Sequence, residues 1–303
     1  MQIIKNILNS LYGSYYETNR GAAYLGDSLD YLKLIPDNSI NLILTSPPFA
    51  LTSQKEYGNK SSEDYVAWFL EFAKEFHRIL KDDGSFVVDL GGAYLPGHPV
   101  RSLYQYELLI RLVKEINFYL AQEFFHYNPA RLPAPAEWVN VRRIRVKDSI
   151  NLVWWLSKTE YPKADNRKVL RPYSDAMKQL LKKGYKAKMR PSGHNITNKF
   201  SKENEGSIPP NILEFHQLDE ETTKLELEYN NSESYSNYMM KCEEVGIKPH
   251  PAKFPLRFAD FFIKFLTNED DIVLDPFAGS NTIGFAAQKI NRNWISLEIK
   301  ELL

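Results

Sequence analysis

Residues 271–282, D-I-V-L-D-P-F-A-G-S-N-T, decide the fold class of this chain. The apolar run that ends at Asp275 predicts a short strand, and a helix is predicted to begin near Asn281 after a turn at Gly279. A strand that turns sharply at a glycine into a helix N-terminus is how doubly wound folds hold a nucleotide-like ligand. Glu298 ends the next predicted strand about 20 residues later, where a carboxylate suits the hydroxyls of a ribose. An ordinary strand–turn–helix unit is the alternative for this motif alone.

Strands and helices alternate on both sides of a long irregular segment. Short β-rich runs predict strands, and apolar residues at helical spacing predict amphipathic helices. The predicted strands are 39–45, 85–90, 118–126, 149–157, 271–276 and 294–299, and the predicted helices are 63–80, 102–116, 255–266 and one from about 281. Strands that alternate with helices imply a parallel sheet covered on both faces. We therefore predict an α/β fold with a doubly wound, mostly parallel sheet.

The alternation is lost between residues 158 and 245. This segment is rich in Lys, Asn, Ser, Pro and Gly, and it shows little periodicity. It is too long for a loop in a compact domain, so we predict an inserted module with its own task. Residues 1–157 and 246–303 would then form the two halves of one α/β domain.

The composition is that of a globular protein with a full core, because 43% of the 303 residues are hydrophobic and 25% are charged. No apolar run approaches about 18 residues, which excludes a transmembrane helix, and residues 1–16 are too polar for a signal peptide. The single cysteine, Cys242, excludes a disulfide framework and a multi-thiolate metal site, and the histidines show no metal-ligand spacing. We expect a cytoplasmic protein that binds neither a metal nor a membrane.

The net charge is zero, but the charges are unevenly distributed along the chain. Residues 131–202 hold 18 Lys and Arg against 5 Asp and Glu, an excess of +13, whereas residues 203–244 hold 2 against 11, a balance of −9. The basic block predicts a polyanionic partner, since Lys and Arg that share one face bind phosphates even on a neutral protein. From charge alone, a solvated surface of mixed charge is an equal alternative.

A second informative strand end is Thr45-Ser46-Pro47-Pro48-Phe49. Two consecutive prolines at the carboxyl edge of a parallel sheet make a stiff, extended turn without free N–H groups. Their carbonyls point outward, Ser46 adds a hydroxyl, and Phe49 adds a flat apolar face. These groups suit a planar heterocycle that bears an amino group. For this motif alone, a Pro-Pro loop with a core phenylalanine is the better-supported alternative.

Together, the two motifs resemble those of the amino-group DNA methyltransferases that use S-adenosylmethionine. The order, with T-S-P-P-F before D-P-F-A-G-S-N-T, resembles their β class, in which the cofactor motif comes last and the target-recognition region lies between. The similarity extends over nearly the whole chain and includes G-S-F-V-V-D-L-G-G-A-Y (84–94), R-P-S-G-H (190–194) and G-S-I-P-P-N (206–211). It implies the methyltransferase fold with a permuted motif order, with residues 158–245 as the target-recognition region.

The resemblance also implies the cofactor site. Glu298 matches the ribose-binding carboxylate, Asp27 in G-D-S matches the adenine-binding position, and Asp275 would lie near the amino group of the methionine moiety. Residues 250–255, H-P-A-K-F-P, resemble a segment that packs beside that moiety. The predicted S-adenosylmethionine-binding residues are Asp27, Lys253, Asp275, Phe277, Gly279, Ser280, Asn281, Thr282 and Glu298, and the product would be S-adenosylhomocysteine.

The predicted catalytic residues are Ser46, Pro47, Pro48, Phe49 and Asp89. Hydrogen bonds from an exocyclic amino group to the Ser46 hydroxyl and the Pro47 carbonyl would free the nitrogen lone pair to attack the methyl group. The target base must be flipped out of the duplex, and stacking on Phe49 would recover part of that free energy. Asp89 would orient Ser46 or contact the ring, and a merely capping carboxylate is an equal alternative.

We favour N4 of cytosine as the target, because relatives specific for adenine N6 more often carry an acidic residue where Ser46 stands. Methylation of cytosine C5 needs a cysteine nucleophile in a Pro-Cys context, and Cys242 lies in K-C-E-E. The resemblance further implies double-stranded DNA as partner and a role in a restriction–modification system. A non-catalytic, sequence-specific DNA-binding protein on the same fold is the alternative from another class, and a monomer and a homodimer remain equally open.

The basic block supplies the predicted DNA contacts. Phosphate contacts are expected from Lys and Arg, and base contacts from polar side chains that reach the grooves. The predicted DNA-binding residues are Arg142, Arg143, Arg145, Lys182, Lys183 and Lys186, with Arg190, Ser192 and His194 as candidates nearer the bases.

Overall fold

The computed structural model describes residues 1–11, 13–50, 62–129, 131–184, 202–214, 243–244, 246 and 254–299. The chain packs into two compact units. The larger unit comprises Met1–Ala164 with Asn211–Leu303, and the smaller unit is Asp165–Pro210.

The larger unit contains strands and helices in alternation. Its strands are β1 (Tyr16–Glu17), β2 (Gly21–Leu25), β3 (Ile40–Thr45), β4 (Leu80–Leu90), β5 (Tyr119–Tyr127), β6 (Ile150–Ser157), β7 (Ile212–Glu214), β8 (Ile272–Asp275) and β9 (Asn293–Glu298). Its α-helices are α1 (Gln2–Leu11), α2 (Ser28–Leu34), α3 (Ser62–Ile79), α4 (Tyr104–Lys114), α6 (Leu256–Leu266) and α7 (Thr282–Lys289), and a π-helical turn covers Glu137–Val141. The helix α5 (Asp175–Lys183) belongs to the smaller unit.

The described strands form one sheet in the order β1-β2-β9-β8-β3-β4-β6-β5-β7. Its five central strands, from β2 to β4, are parallel to one another. The strand β6 runs antiparallel to β4 and β5, and β7 adds to β5 in parallel. The predicted mostly parallel sheet is therefore confirmed, with antiparallel strands confined to its two ends.

Helices cover both faces of this sheet, as a doubly wound fold requires. In β3, Ile43 belongs to the core formed with α1–α4, whereas Leu42 and Leu44 belong to the core formed with α6 and α7. Successive residues of a strand point to opposite faces, so a strand buried on both faces reads as a continuous apolar run. The run I-N-L-I-L-T in β3 and the run I-V-L-D in β8 have this character.

The smaller unit contains a 3-10 turn at Asn166–Val169 and the helix α5 (Asp175–Lys183), which Ser174 caps by accepting a hydrogen bond from the Met177 N–H. An antiparallel bridge pairs Arg171 with Ser207. The segment 158–245, assigned above to target recognition, thus includes this unit and also Ile212–Glu214, which forms β7 of the larger unit. Within the described ranges, no helix combines the length and apolarity needed to cross a membrane.

Candidate active site

Two strand ends meet at the centre of the carboxyl edge of the sheet. The strands β3 and β8 are neighbours in parallel register, with Leu42 opposite Val273. The chain continues from β3 to β4 on one side and from β8 to β9 on the other, so the winding direction changes between them. Open α/β sheets bind their ligands in the crevice at such a point. Across it, the hydroxyl of Thr45 donates to Asp275 Oδ1 at 2.7 Å.

Asp275 is the most strongly perturbed carboxyl group of this edge. Only 3% of its surface is exposed, and its Oδ1 also accepts the backbone N–H of Phe277 at 3.1 Å. Burial, with a smaller contribution from the negative charge of Glu298, raises the pKa of Asp275 from 3.8 to about 7, against the lowering effect of its two hydrogen bonds. Near neutral pH the group therefore lies close to the midpoint between its neutral and ionised forms.

The turn after β8 is organised by Glu298. Its Oε2 accepts the backbone N–H of Gly279 at 2.7 Å, and the N–H of Ala278 donates to the carbonyl of Leu297 at 3.0 Å. Gly279 has a φ of 50°, a conformation that favours glycine. Ser280 and Thr282 follow with their hydroxyls 3.2 Å apart. The structure thus brings together the predicted glycine turn and the predicted ribose carboxylate.

Asn281 stabilises this turn through the hydrogen bonds of its buried side chain. It has a φ of 52° and caps α7, where its Oδ1 accepts the Gly284 N–H at 3.2 Å and the Ser296 hydroxyl at 2.5 Å. Its amide nitrogen donates to the hydroxyl of Tyr16. These contacts bury the Asn281 side chain, so it positions the turn.

The segment around Asp27 lies against the same turn. The Gly26 N–H donates to the carbonyl of Glu298 at 2.8 Å, and the Ser28 hydroxyl donates to the carbonyl of Pro276 at 2.6 Å. Asp27 itself is exposed and caps α2 by accepting the Leu29 N–H at 2.9 Å. Its carboxylate is thus presented beside the glycine turn, where the predicted adenine contact would be.

Phe277 connects the turn to the helix α3. Its ring is half-buried and packs against Trp68 at 5.7 Å and Phe72 at 5.1 Å between ring centroids. Neither Trp68 nor Phe72 belongs to a motif. The apolar spacing of α3 marks a buried face, but it does not indicate which ring reaches the site.

The S-P-P-F turn lies beside the end of β4. The Ser46 hydroxyl donates to the backbone carbonyl of Asp89 at 3.4 Å, so Asp89 contacts Ser46 through its main chain. The buried carboxyl group of Asp89 has one oxygen 3.4 Å from His126 Nδ1, while its Oδ1 is buried and has no hydrogen-bond partner among the described residues. His126 is absent from the predicted site because a lone histidine in a strand carries no motif.

The Phe49 ring is held by the residues after β4. A Cβ on Gly91 would lie 2.6 Å from two of its ring carbons, so only glycine allows the observed approach. The hydroxyl of Tyr104 donates to the carbonyl of Gly91 and accepts a hydrogen bond from the backbone of Ala50. Burial raises the pKa of Tyr104 above its ordinary value, which keeps this hydroxyl protonated. The Phe49 ring is therefore fixed by its contact with Gly91, and Tyr104 links Gly91 to Ala50, the residue that follows Phe49.

Comparison with known proteins agrees with this site. The sequence model of a DNA methylase family, which covers N6 and N4 methylases, matches residues 40–302. The chain belongs to the DNA methylase family. It is 53% identical over 288 residues to the type II methyltransferase M.PvuII of Proteus hauseri, covering 94% of this chain and 82% of that protein. The solved structure of the PvuII DNA methyltransferase (cytosine-N4-specific) matches with a TM-score of 0.73 and 45% identity, over 95% of this chain and 86% of that one. The DNA adenine methyltransferase YhdJ of Escherichia coli is 25% identical over 90% of this chain and 76% of its own length.

In this DNA methylase, three predicted DNA-binding residues lie on the loop between β5 and β6. The Asn128 N–H donates to the Ser149 carbonyl at 2.7 Å and closes the base of the loop. Because β6 is antiparallel to β4, the loop extends from the same edge as the S-P-P-F turn. Arg142 pairs with Glu137 at 2.8 Å and lies over the ring of Trp138, 5.3 Å from its centroid. Arg143 and Arg145 are exposed.

The remaining predicted site residues of this methylase are distributed differently. Lys182 and Lys183 form the C-terminal end of α5 in the smaller unit. Lys186, Arg190, Ser192, His194 and Lys253 lie outside the described residues. Within the described ranges, no group of three or more His, Cys, Asp or Glu side chains could hold a metal ion.

Proposed function

We propose that this chain transfers a methyl group from S-adenosylmethionine to N4 of a flipped-out cytosine in duplex DNA, in the cytoplasm, as part of a restriction–modification system. The observation that carries the proposal is the hydrogen bond from Thr45 to Asp275. It joins the end of the S-P-P-F strand to the start of the D-P-F-A-G-S-N-T turn, so an amino group held at Ser46 and a cofactor held at Gly279 would be neighbours. The names of the relatives, a type II methyltransferase and a cytosine-N4-specific enzyme, support the same conclusion.

The residues present fit the cofactor. Gly279 exposes its backbone without a Cβ, and Asp27 and Glu298 would offer carboxylates to the adenine and to the ribose hydroxyls. Asp275 would hold the amino group of the methionine moiety, and that cation would favour its ionised form. When bound, S-adenosylmethionine supplies an electrophilic methyl group on a sulfonium.

The chain's own contribution to the reaction is position. The Ser46 hydroxyl and the Pro47 carbonyl would accept hydrogen bonds from the target amino group, which frees its lone pair for in-line attack. Orientation of this kind contributes up to roughly 7–11 kcal/mol to catalysis. The Phe49 ring would stack on the extruded base and offset part of the few kcal/mol that unstacking costs.

DNA would be held by the basic segments. Arg142, Arg143 and Arg145 on the β5–β6 loop and Lys182 and Lys183 on α5 would contact phosphates. Lys186 would act with them, and Arg190, Ser192 and His194 are proposed nearer the bases, which makes residues 158–245 the proposed source of target specificity.

The deciding experiment incubates wild-type protein with labelled S-adenosylmethionine and duplex plasmid DNA, hydrolyses the DNA and identifies the modified nucleoside. We expect N4-methylcytosine, and 6-methyladenine would show instead that the relation to enzymes such as YhdJ extends to the target base. A Ser46→Ala, Phe49→Ala double variant should bind DNA and cofactor but lose transfer. If the wild type methylates no duplex, the chain is a DNA-binding protein on this fold.

A further inference from the structure

Among the described residues of the β5–β6 loop, 128–149, four large apolar side chains are exposed: those of Leu132, Val141, Ile144 and Val146, of which Leu132 and Val146 are the most exposed. Val146 is 87% exposed and Leu132 is 80% exposed. Single exposed apolar residues are common on protein surfaces and need no explanation by themselves. These two differ because the loop fixes both of them at the edge that carries the S-P-P-F turn.

The two limbs of the loop are tied together next to these side chains. Lys147 Nζ donates to the carbonyls of Pro129 at 2.7 Å and Arg131 at 3.5 Å, which joins the limb of Val146 to the limb of Leu132. Arg131 in turn donates to Asn151 Oδ1 at 2.5 Å, at the beginning of β6. Leu132 therefore follows an anchored residue, Arg131, and Val146 precedes another, Lys147.

A continuous line of contacts connects the loop to the Phe49 ring. Asp148 pairs with Arg101 at 2.9 Å. The guanidinium of Arg101 packs against the backbone of Gly92, where an added Cβ would lie only 2.6 Å from the guanidinium. The glycine before it provides the backbone surface on which the Phe49 ring rests. Val146 is two residues from Asp148, so its position is tied to that of the proposed base platform.

The charges around the two side chains favour a nucleic acid as the partner. Leu132 follows Arg131, and Val146 stands between Arg145 and Lys147, both of which are exposed. A duplex presents phosphates at its rim and stacked apolar base faces inside it. Alternating cationic and apolar side chains match that arrangement, whereas a second protein surface would have to neutralise the cations.

We propose that Leu132 and Val146 form an apolar wedge that enters the base stack of duplex DNA beside the target base as the base leaves. This proposal rests on the function proposed above. Proteins that kink or unstack duplex DNA insert apolar side chains between base steps while Arg and Lys hold the backbone. The wedge fills the space of the extruded base and hinders its return. Its effect therefore falls on duplexes in which the target base is paired.

The test compares a Leu132→Ser, Val146→Ser variant with a Leu103→Ser, Val113→Ser variant. Leu103 and Val113, at α4, are the same two residue types and are 67% and 37% exposed. Single-turnover methyl transfer is measured on two duplexes. In one the target base is paired, and in the other the target base lies opposite an abasic site. The wedge variant should lose about tenfold in rate on the paired duplex and less than about threefold on the other, because unpaired bases are extruded more easily. The control variant should match the wild type on both duplexes.

Each of the following outcomes would contradict the proposed wedge. Equal losses on both duplexes would indicate a general docking or folding role, and unchanged rates would show that the two side chains are not used. A changed sedimentation coefficient with an unchanged ratio between the duplexes would indicate a contact between copies of the chain. A wild type that methylates no duplex would contradict the proposed function as well, which distinguishes that failure from failure of the wedge alone.

Discussion

Replacing Asp275 by asparagine tests whether a buried carboxyl group is held at the centre of the site at the expense of stability. The amide keeps an acceptor oxygen for Thr45 and Phe277 and removes the charge. In the wild type, the pKa of Asp275 is raised from 3.8 to about 7, so the folded state binds the proton more tightly than the unfolded state. The contribution of this group to stability is full below a pH of 3.8 and is lost as the pH rises through about 7.

The magnitude follows from the size of the shift. A difference of about three pKa units corresponds to roughly 4 kcal/mol, since each unit is worth about 1.4 kcal/mol. We therefore expect the free energy of unfolding of Asp275→Asn, relative to the wild type, to rise by roughly 4 kcal/mol between about pH 4 and about pH 8. Most of the rise should occur below about pH 7, after which the difference should level off.

Urea unfolding of both proteins across this pH range, without cofactor, measures the difference directly. Asp270→Asn is the control, because Asp270 precedes the same strand but has 78% of its side chain exposed, in a pair with Arg20. That pair should contribute at most about 1 kcal/mol. A constant difference between wild type and Asp275→Asn at every pH, or a difference that falls as the pH rises, would refute the reasoning.

Two further predictions concern the base platform and the basic loop. Gly91→Ala should push the Phe49 ring by about 1 Å, because its Cβ would lie 2.6 Å from the ring, and should lower methyl transfer by up to about 100-fold while cofactor affinity in calorimetry stays the same. Gly13→Ala, whose Cβ meets nothing within 4 Å, should leave both unchanged, and equal rates for the two variants would contradict the platform role. Replacing Arg142, Arg143 and Arg145 by glutamine should weaken DNA binding and reduce the salt slope of the affinity by about one per charge removed. An unaltered slope would show that this part of the basic block is a solvated face.

The sequence predicts the central elements because their local pattern coincides with their burial. The strand predicted at 39–45 is β3, and the helix predicted at 63–80 is α3, each within one residue of the observed bounds. The strand β2, G-A-A-Y-L, is not predicted, because its small residues lack a β-rich pattern. It forms by tertiary packing: a Cβ on Gly21 would lie 2.1 Å from the indole of Trp294 on the neighbouring strand, so the glycine allows that ring to pack over β2.

The helix α4 shows where apolar spacing misleads. Over residues 102–116 the spacing predicts that Tyr106 and Ile110 face the core, yet each is 53% exposed. The buried face instead carries Leu108 and Leu112, and with them the polar side chains of Tyr104 and Gln105. Their polar groups donate to the carbonyls of Gly91 and Leu90, the latter at 2.7 Å. Two apolar stripes at helical spacing therefore compete in this helix, and the stripe that also supplies hydrogen bonds to the backbone after β4 faces the core.

The candidate site shows the same division. Motifs identify the residues of the two turns, such as Ser46 and Gly279, because a turn imposes local constraints on residue type. Tyr104 and His126 contact the site from elements that are distant in sequence, so no local pattern marks them. Their roles depend on which strands become neighbours, and that depends on the whole sheet.

One strand pairing sets the relation between the two motifs. Thr45 and Asp275 are 230 residues apart in sequence, and they meet because β3 lies next to β8 with Leu42 opposite Val273. A slip of one residue would turn every side chain of β3 to the opposite face and remove the bond between Thr45 and Asp275. The double-sided apolar burial of β3 and β8 opposes such a slip, because it would exchange the residues that fill the two cores. Any connection of the chain that preserves this pairing preserves the candidate site, which is why T-S-P-P-F can precede D-P-F-A-G-S-N-T here.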